Sequence, residues 1–368
     1  MRRLGAVTAV VLWVSAPGPA YNQNWEDWVR MGNESWAAGR QTDALGYWQR
    51  AYQDPERVKH PETLAALEFN RATALQWFGR IGEAEAGFLR ALAWQESLYG
   101  ESSPGVASTL HSLALLCVRA GRLREAKSWN TKALELQRAL YGPEHPSVAN
   151  SLNILAEVLR MEGRQREAVS ALREAIAICE RSACSSSLLG VMLGNLGRML
   201  GAKDATRQEA GEYCLRGRLI LEKQLGSRHP YVALALTNLA ELERRKRKYP
   251  EAEALFRSAL EIQREAWPAT HPDTAKTLHD LGALMAEQRR FSEAASFFEP
   301  AVRMREALFG SDSLVLAETL AAYAAVLRKT GHRGQAQAYS NRAQAIVKRH
   351  PEFSSNSYSV DVSLWKPQ

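Results

Sequence analysis

Four histidines stand directly before prolines at recurring places in this 368-residue chain: His60-Pro61, His145-Pro146, His229-Pro230 and His271-Pro272. Imidazole is a common metal ligand, so a metal centre is the first chemistry to consider. The spacing argues against it. Packed helices lie about 8–10 Å apart, and loops separated by a whole helix pair cannot converge on one ion. Proline suits the first turn of a helix and keeps the preceding residue extended, so each pair reads as a helix start. The chain has no Gly-Lys-Ser/Thr phosphate loop, no helical His-Glu-x-x-His and no nucleophile elbow. Its recurring glutamates, Glu125, Glu167, Glu209, Glu251 and Glu293, each precede a recurring alanine. A carboxylate repeated in every unit reads as a surface or inter-helix partner rather than an acid catalyst. No catalytic residue, cofactor or metal is therefore assigned. Of the four cysteines, Cys117 and Cys214 read as buried thiols. Cys179 and Cys184 are close enough to pair in an oxidising space, with free thiols as the simpler reading.

The elements behind these residues follow from periodicity. Ala126, Ala168, Ala210, Ala252, Ala294 and Ala336 are 42 residues apart; Ala84 continues the series upstream, and Ala44 lies 40 residues before it. Seven residues after each stands a second small residue: Ala51, Ala91, Ala133, Ala175, Gly217, Ala259, Ala301 or Ala343. Seven residues are close to two helical turns, so both lie on one face and allow close helix approach. A third anchor, at Gly32, Ala72, Ala114, Ala156, Gly197, Ala240, Gly282 or Ala324, precedes the keyed alanine by twelve residues, or thirteen in the fifth unit. Glycine turns such as Gly39-Arg40, Gly79-Arg80, Gly121-Arg122, Gly163-Arg164 and Gly331-His332 separate the two halves. A fixed period of this size marks a solenoid of stacked units.

The stretch LALLCVRAGRLREAKSWNTKALELQRALYGPEHPSV (113–148) resembles a tetratricopeptide repeat of the 42-residue kind found in kinesin light chains. The resemblance covers roughly residues 24–348, because anchors, glycine turns and loop motif recur in phase. HEAT and armadillo arrays lack the small-residue triplet at fixed offsets. The resemblance implies an all-α fold, a right-handed α-α superhelix of about eight helix pairs whose inner groove binds peptides or proteins. The departures are Arg247-Lys248 and Arg289-Arg290, where a turn glycine is expected, and the divergent SACSSSLLG loop at 182–190.

The resemblance also places the first helix of each pair on the concave side. Residues just before its small anchor are then the candidate partner-binding groove: Asn70, His111, Asn153, Asn195, Asn238 and His279. The asparagines resemble the family's ligand-facing asparagines, whose amides can both donate to and accept from a peptide backbone; equally, they could satisfy their own helix or a nearby turn. A turn beyond the anchor come Arg160, Arg244 and Arg328, with Arg119 and Arg245 alongside. Guanidinium groups there would favour acidic peptides, or serve only to balance the negative end of the helix. The formal charge of +7 includes 40 acidic residues, and no aromatic stacking platform accompanies the basic ones, so nucleic acid is not a partner.

The two ends read differently. Arg2 and Arg3, the apolar run Leu4 to Val14 and the small residues up to Ala20 describe a cleaved secretory signal at 1–20, too short to span a bilayer. Its loss lowers the formal charge from +7 to about +5. The solenoid occupies 21–348. In the tail at 349–368, Tyr358, Val360, Val362 and Leu364 alternate with polar residues, a strand signature that either docks on the last helices or stays disordered. The combined expectation is a secreted or periplasmic, non-enzymatic protein that binds an extended peptide or protein partner. The alternatives are a structural array associating through its convex face and ends, and a cytosolic cargo-type adaptor.

Overall fold

The computed structural model describes residues 24–54, 59–201 and 204–350. The secretory signal expected at 1–20 and the strand expected in the tail lie outside the described residues. Sixteen α-helices account for nearly all of what is described: α1 Trp25–Ala37, α2 Gln41–Gln53, α3 Pro61–Trp77, α4 Ile81–Tyr99, α5 Pro104–Ala120, α6 Leu123–Tyr141, α7 Pro146–Met161, α8 Gln165–Arg181, α9 Ser186–Leu200, α10 Arg207–Leu225, α11 Pro230–Arg245, α12 Tyr249–Ala266, α13 Pro272–Glu287, α14 Phe291–Phe309, α15 Leu314–Lys329 and α16 Arg333–Arg349. Taken two at a time they make eight pairs. The described residues contain no strand. The extra residue of the fifth unit sits in a short 3-10 turn, Asp204–Thr206, between α9 and α10.

All eight keyed alanines, from Ala44 to Ala336, are fully buried, as are Ala51, Ala91, Ala133, Ala175, Ala259, Ala301 and Ala343. The third anchor explains why small residues are required. Sixteen residues beyond it the second helix carries a large side chain in most units, Trp48, Phe88, Leu172, Phe256 and Phe298 among them, each buried. Gly32 lies under the indole of Trp48, and a Cβ on Gly282 would meet the Phe298 ring at 3.0 Å. These five pairs are thus small-into-large joints, and burying a phenylalanine in one contributes roughly 1.5–3 kcal/mol.

The turns within pairs use left-handed backbone, at Gly39, Gly79, Gly121, Gly163 and Gly331. Arg247 and Arg289 take the same conformation, with φ of 60° and 61°, and close the same hydrogen bonds. The missing glycines therefore leave the turn geometry unchanged. Between pairs, Gly100, Gly142, Gly226 and Gly310 play the equivalent part. Three inter-pair connections lack that glycine, and two of them are held by side chains. After α8, Ser182 is extended and a Cys179–Cys184 disulfide, with Cα atoms 4.9 Å apart, ties the helix end to the loop. This replaces the expectation of free thiols, because the short loop returns Cys184 beside the last turn of α8. After α12, Trp267 is extended and stacks on His271 at 3.6 Å between centroids. Cys117 and Cys214 are buried and form no disulfide among the described residues.

The helices divide into two compact units: residues up to 116 with 128–145, and 117–127 with residues from 146 onward. In the first, Trp25, Ala44, Trp48, Ala51, Leu67 and Ala74 form a buried cluster. In the second, the first helices α7, α9, α11, α13 and α15 run side by side, each touching the next, while each second helix packs chiefly against its own partner and the following first helix. The first helices therefore form the inner layer of that unit.

Candidate functional site

The inner layer of the second unit brings three of the expected asparagines into one row. Asn195 on α9 donates from Nδ2 to Oδ1 of Asn153 on α7 at 3.0 Å. Asn238 on α11 lies beside them. Its Nδ2 sits over Gly194, where a Cβ would come within 3.2 Å, so the glycine next to Asn195 makes room for the amide. Asn238 is only 3% exposed, yet its side chain has no hydrogen-bond partner among the described residues. A buried primary amide offers two donors and an acceptor, and leaving them unmade is unfavourable.

One turn along the same helices the expected arginines are present but not free. Arg160 donates to Glu157 at 2.7 Å, and Arg198 of the next repeat reaches the same carboxylate at 2.5 Å. Burial would raise the Glu157 pKa, but the guanidinium groups of Arg160 and Arg198 outweigh it and hold the carboxyl well below its usual range. Two repeats on, Glu241 accepts from Arg244 at 2.8 Å and Arg245 at 2.8 Å, and Arg244 also binds Glu287. Burial opposes ionisation of Glu241, and the two arginines overcome it, bringing its pKa to about 2. Arg119 likewise pairs with Asp273 at 3.4 Å. The sequence reading saw these cations without their carboxylates. The signal was a glutamate three residues before an arginine, at 157/160 and again 84 residues later at 241/244.

His279 on α13 is half-buried, with Nδ1 at 3.2 Å from Oγ1 of Thr319 and Nε2 at 3.9 Å from Glu318. Burial pushes its pKa down to about 4 despite Glu318. Glu318 in turn takes a 2.9 Å bond from Arg305. Arg328 does not join the inner row; it is exposed and reaches Ser340 on α16 at 3.4 Å. In the first unit, Asn70 donates to Oδ1 of Asn33 at 3.1 Å, an oxygen shared with the Trp48 indole N–H. His111 on α5 is held neutral by burial, with its pKa at about 4.

All four His-Pro pairs stand at helix starts, and two of them cap the helix through the imidazole, whereas His60 makes no side-chain cap bond. Nδ1 of His229 accepts the N–H of Tyr231 at 3.1 Å, and Nδ1 of His271 accepts that of Asp273 at 3.2 Å, with proline at the first helical position in both. The imidazole thus does the work usually given to serine or aspartate.

A tetratricopeptide-repeat sequence profile matches residues 62–139, 125–181, 188–265 and 273–349, well over half of the chain. The chain belongs to the tetratricopeptide repeat family. Members of this family serve in general as non-enzymatic scaffolds for protein–protein interaction. Among solved structures, a Rap protein complexed with competence and sporulation factor superposes over 89% of this tetratricopeptide repeat chain and 96% of its own, at 13% identity and a TM-score of 0.60. The Rap conjugation gene regulator of plasmid pLS20, in complex with the Phr* peptide, covers 77% of this chain and 74% of its own, at 15% identity and a TM-score of 0.60. At these identities the likeness is one of fold. A Podosopora anserina kinesin light chain with nearly identical TPR-like repeats is 25% identical over 56% of this chain and 97% of its own, with a TM-score of 0.41. No curated protein matches the chain.

Proposed function

We propose that this tetratricopeptide repeat protein binds an extended peptide, or an extended segment of a protein, along the first helices of its second unit, without chemistry. The observation that carries the reading is the amide row Asn153–Asn195–Asn238, whose last member makes no side-chain hydrogen bond among the described residues. An extended backbone presents a carbonyl and an N–H at each residue, which is what a primary amide can satisfy. One protein of the same fold is solved in complex with a peptide, Phr*, and another with competence and sporulation factor, which agrees with this use of the fold. The proposal carries no preference for acidic partners, since the inner arginines are neutralised by Glu157, Glu241, Glu287 and Asp273. Its test is binding of the native partner to the Asn195→Ala/Asn238→Ala protein.

A second reading, assembly through the outer helices, is favoured by one observation. Leu215 and Leu219 lie one turn apart on α10 and are 50% and 63% exposed. Sedimentation of the wild-type and Leu215→Glu/Leu219→Glu proteins separates the two: self-association lost in the variant supports assembly, and a monomer in both rejects it.

Secretion or periplasmic export, with cleavage after Ala20, is part of the same proposal. The Cys179–Cys184 disulfide suits an oxidising space. No helix among the described residues is long and apolar enough to cross a membrane. Mass spectrometry of the native protein tests export: a mature N-terminus at Tyr21 supports it, and an intact Met1–Ala20 contradicts it.

A further inference from the structure

The sixth and seventh repeats carry a cleft that the amide row does not use. It encloses about 370 Å³ where the end of α12, the loop after it, α13 and α14 meet. Trp267, stacked on the fully buried His271, forms one wall, and Pro268, Ala269, Leu278, Pro300 and Met304 supply the rest of the apolar lining. Small-molecule sites have this size and character, an apolar enclosure with a few placed polar groups.

Two polar groups here lack the partners that their surroundings would ordinarily supply. Thr274 lines the cleft and is 4% exposed, and its Oγ1 is shielded from water with no hydrogen-bond partner. A χ1 rotation exchanges its methyl and hydroxyl and turns the donor toward a bound group. Arg264 stands at the mouth, exposed, and forms no ion pair among the described residues. The carboxylates nearest to it along α12, Glu261 and Glu265, are both taken by Arg228, the first at 3.0 Å. An unpaired guanidinium beside an indole wall, with an unsatisfied hydroxyl within, is complementary to one kind of molecule.

We propose that this cleft binds an apolar or aromatic group that ends in a carboxylate. The ring or chain would lie against Trp267, Leu278 and Met304, and the carboxylate would take two parallel N–H bonds from Arg264. A free hydrophobic acid and the C-terminal residue of a peptide offer the same chemistry. The site is independent of the amide row and of what binds there.

Calorimetric titration of the full chain tests this. The probes are indole-3-propionate, indole-3-propionamide, and the peptide Gly-Gly-Trp with a free or an amidated C-terminus. Saturable binding of a carboxylate probe is expected, at least tenfold weaker for its amide. Arg264→Gln, a change on an exposed helix surface that leaves the fold intact, is expected to weaken the acid at least tenfold and leave the amide unchanged. Thr274→Val is expected to weaken both acid and amide, because the hydroxyl is lost to each. Tighter binding of the free-carboxylate peptide than of the small acid identifies a peptide terminus as the source, and the reverse order identifies a free acid. No saturable heat from any probe, equal affinity for acid and amide, or unchanged acid affinity in Arg264→Gln would each overturn the proposal.

Discussion

Asn195, two residues before its small anchor Gly197, donates its amide at 3.0 Å to Asn153, three residues before the anchor Ala156 of the preceding repeat. The two meet because the first helices lie side by side in the inner layer, so neighbouring positions of successive repeats come into register. The next amide in the register, Asn238, has no such partner. The row is thus satisfied at one end and open at the other.

The turn arginines carry strain that glycine would release. Arg247 and Arg289 hold φ near 60° where the other repeats place glycine. A left-handed conformation is disfavoured for a residue with a Cβ by roughly 1–2 kcal/mol. Arg247→Gly and Arg289→Gly are each expected to stabilise the protein by about 1 kcal/mol, less the extra entropy of an unfolded glycine. Urea unfolding with an unchanged slope checks it, and a destabilised variant contradicts it.

Two glycines should respond to alanine with opposite signs. A Cβ on Gly197 would collide with Sγ of Cys214 and lie 2.6 Å from the carbonyl oxygen of Ala210. Overpacking of this kind costs about 1–3 kcal/mol or more. Gly46, within α2, is exposed with open space around its Cα. Gly46→Ala is expected to stabilise by roughly 0.5–1 kcal/mol through helix propensity. Thermal melts of the two variants read both signs.

Much of this was legible in the sequence because the repeat enforces it. The anchors recur since a second-helix side chain must fit over each, and spacing alone displays that. The asparagine row was legible as positions but not as a bond, because spacing does not say which residues of two helices touch. The carboxylates that pair with the inner arginines were not legible, for a related reason. Glu157 and Glu241 look like solvated helix charges until the neighbouring helix covers them, and then only an arginine can keep them ionised. The disulfide was open from sequence because pairing depends on how the 182–185 loop turns back. Arg328 was expected with the inner arginines, yet its place in the last turn of α15 directs it to α16.

The disulfide is expected to stabilise the folded chain modestly. Closing a six-residue loop restricts the unfolded chain by about 2 kcal/mol in the entropy model. Cys179→Ser/Cys184→Ser should therefore lower the melting temperature under oxidising conditions and abolish its response to reductant. A wild-type melt unchanged by reduction would count against a stabilising bond.

Acid should weaken the fold in two stages. His279 has a folded pKa of about 4 against 6.5 when free. The unfolded chain takes up that proton first, so stability falls as pH drops from 6.5 towards 4. The slope is at most about 1.4 kcal/mol per pH unit for one proton. Glu241 and Glu318 titrate near 2 in the fold against 4.5 in the free state, so their stabilisation is present above 4.5 and is lost as pH falls towards 2. His111, also at about 4 in the fold, adds to the same upper stage, so His279→Gln should lessen that slope without abolishing it and leave the lower stage unchanged. Denaturant unfolding at pH 7, 5.5 and 4.5 measures this, and an unaltered slope in the variant would refute the assignment.

The most direct test of peptide binding along the first helices is the affinity of the co-purified native partner, measured by calorimetry for the wild type and for Asn195→Ala/Asn238→Ala. Each amide bond to a peptide backbone contributes about 1 kcal/mol, so a loss of tenfold or more is expected with helicity and melting preserved. Equal affinity in the double variant would contradict the account.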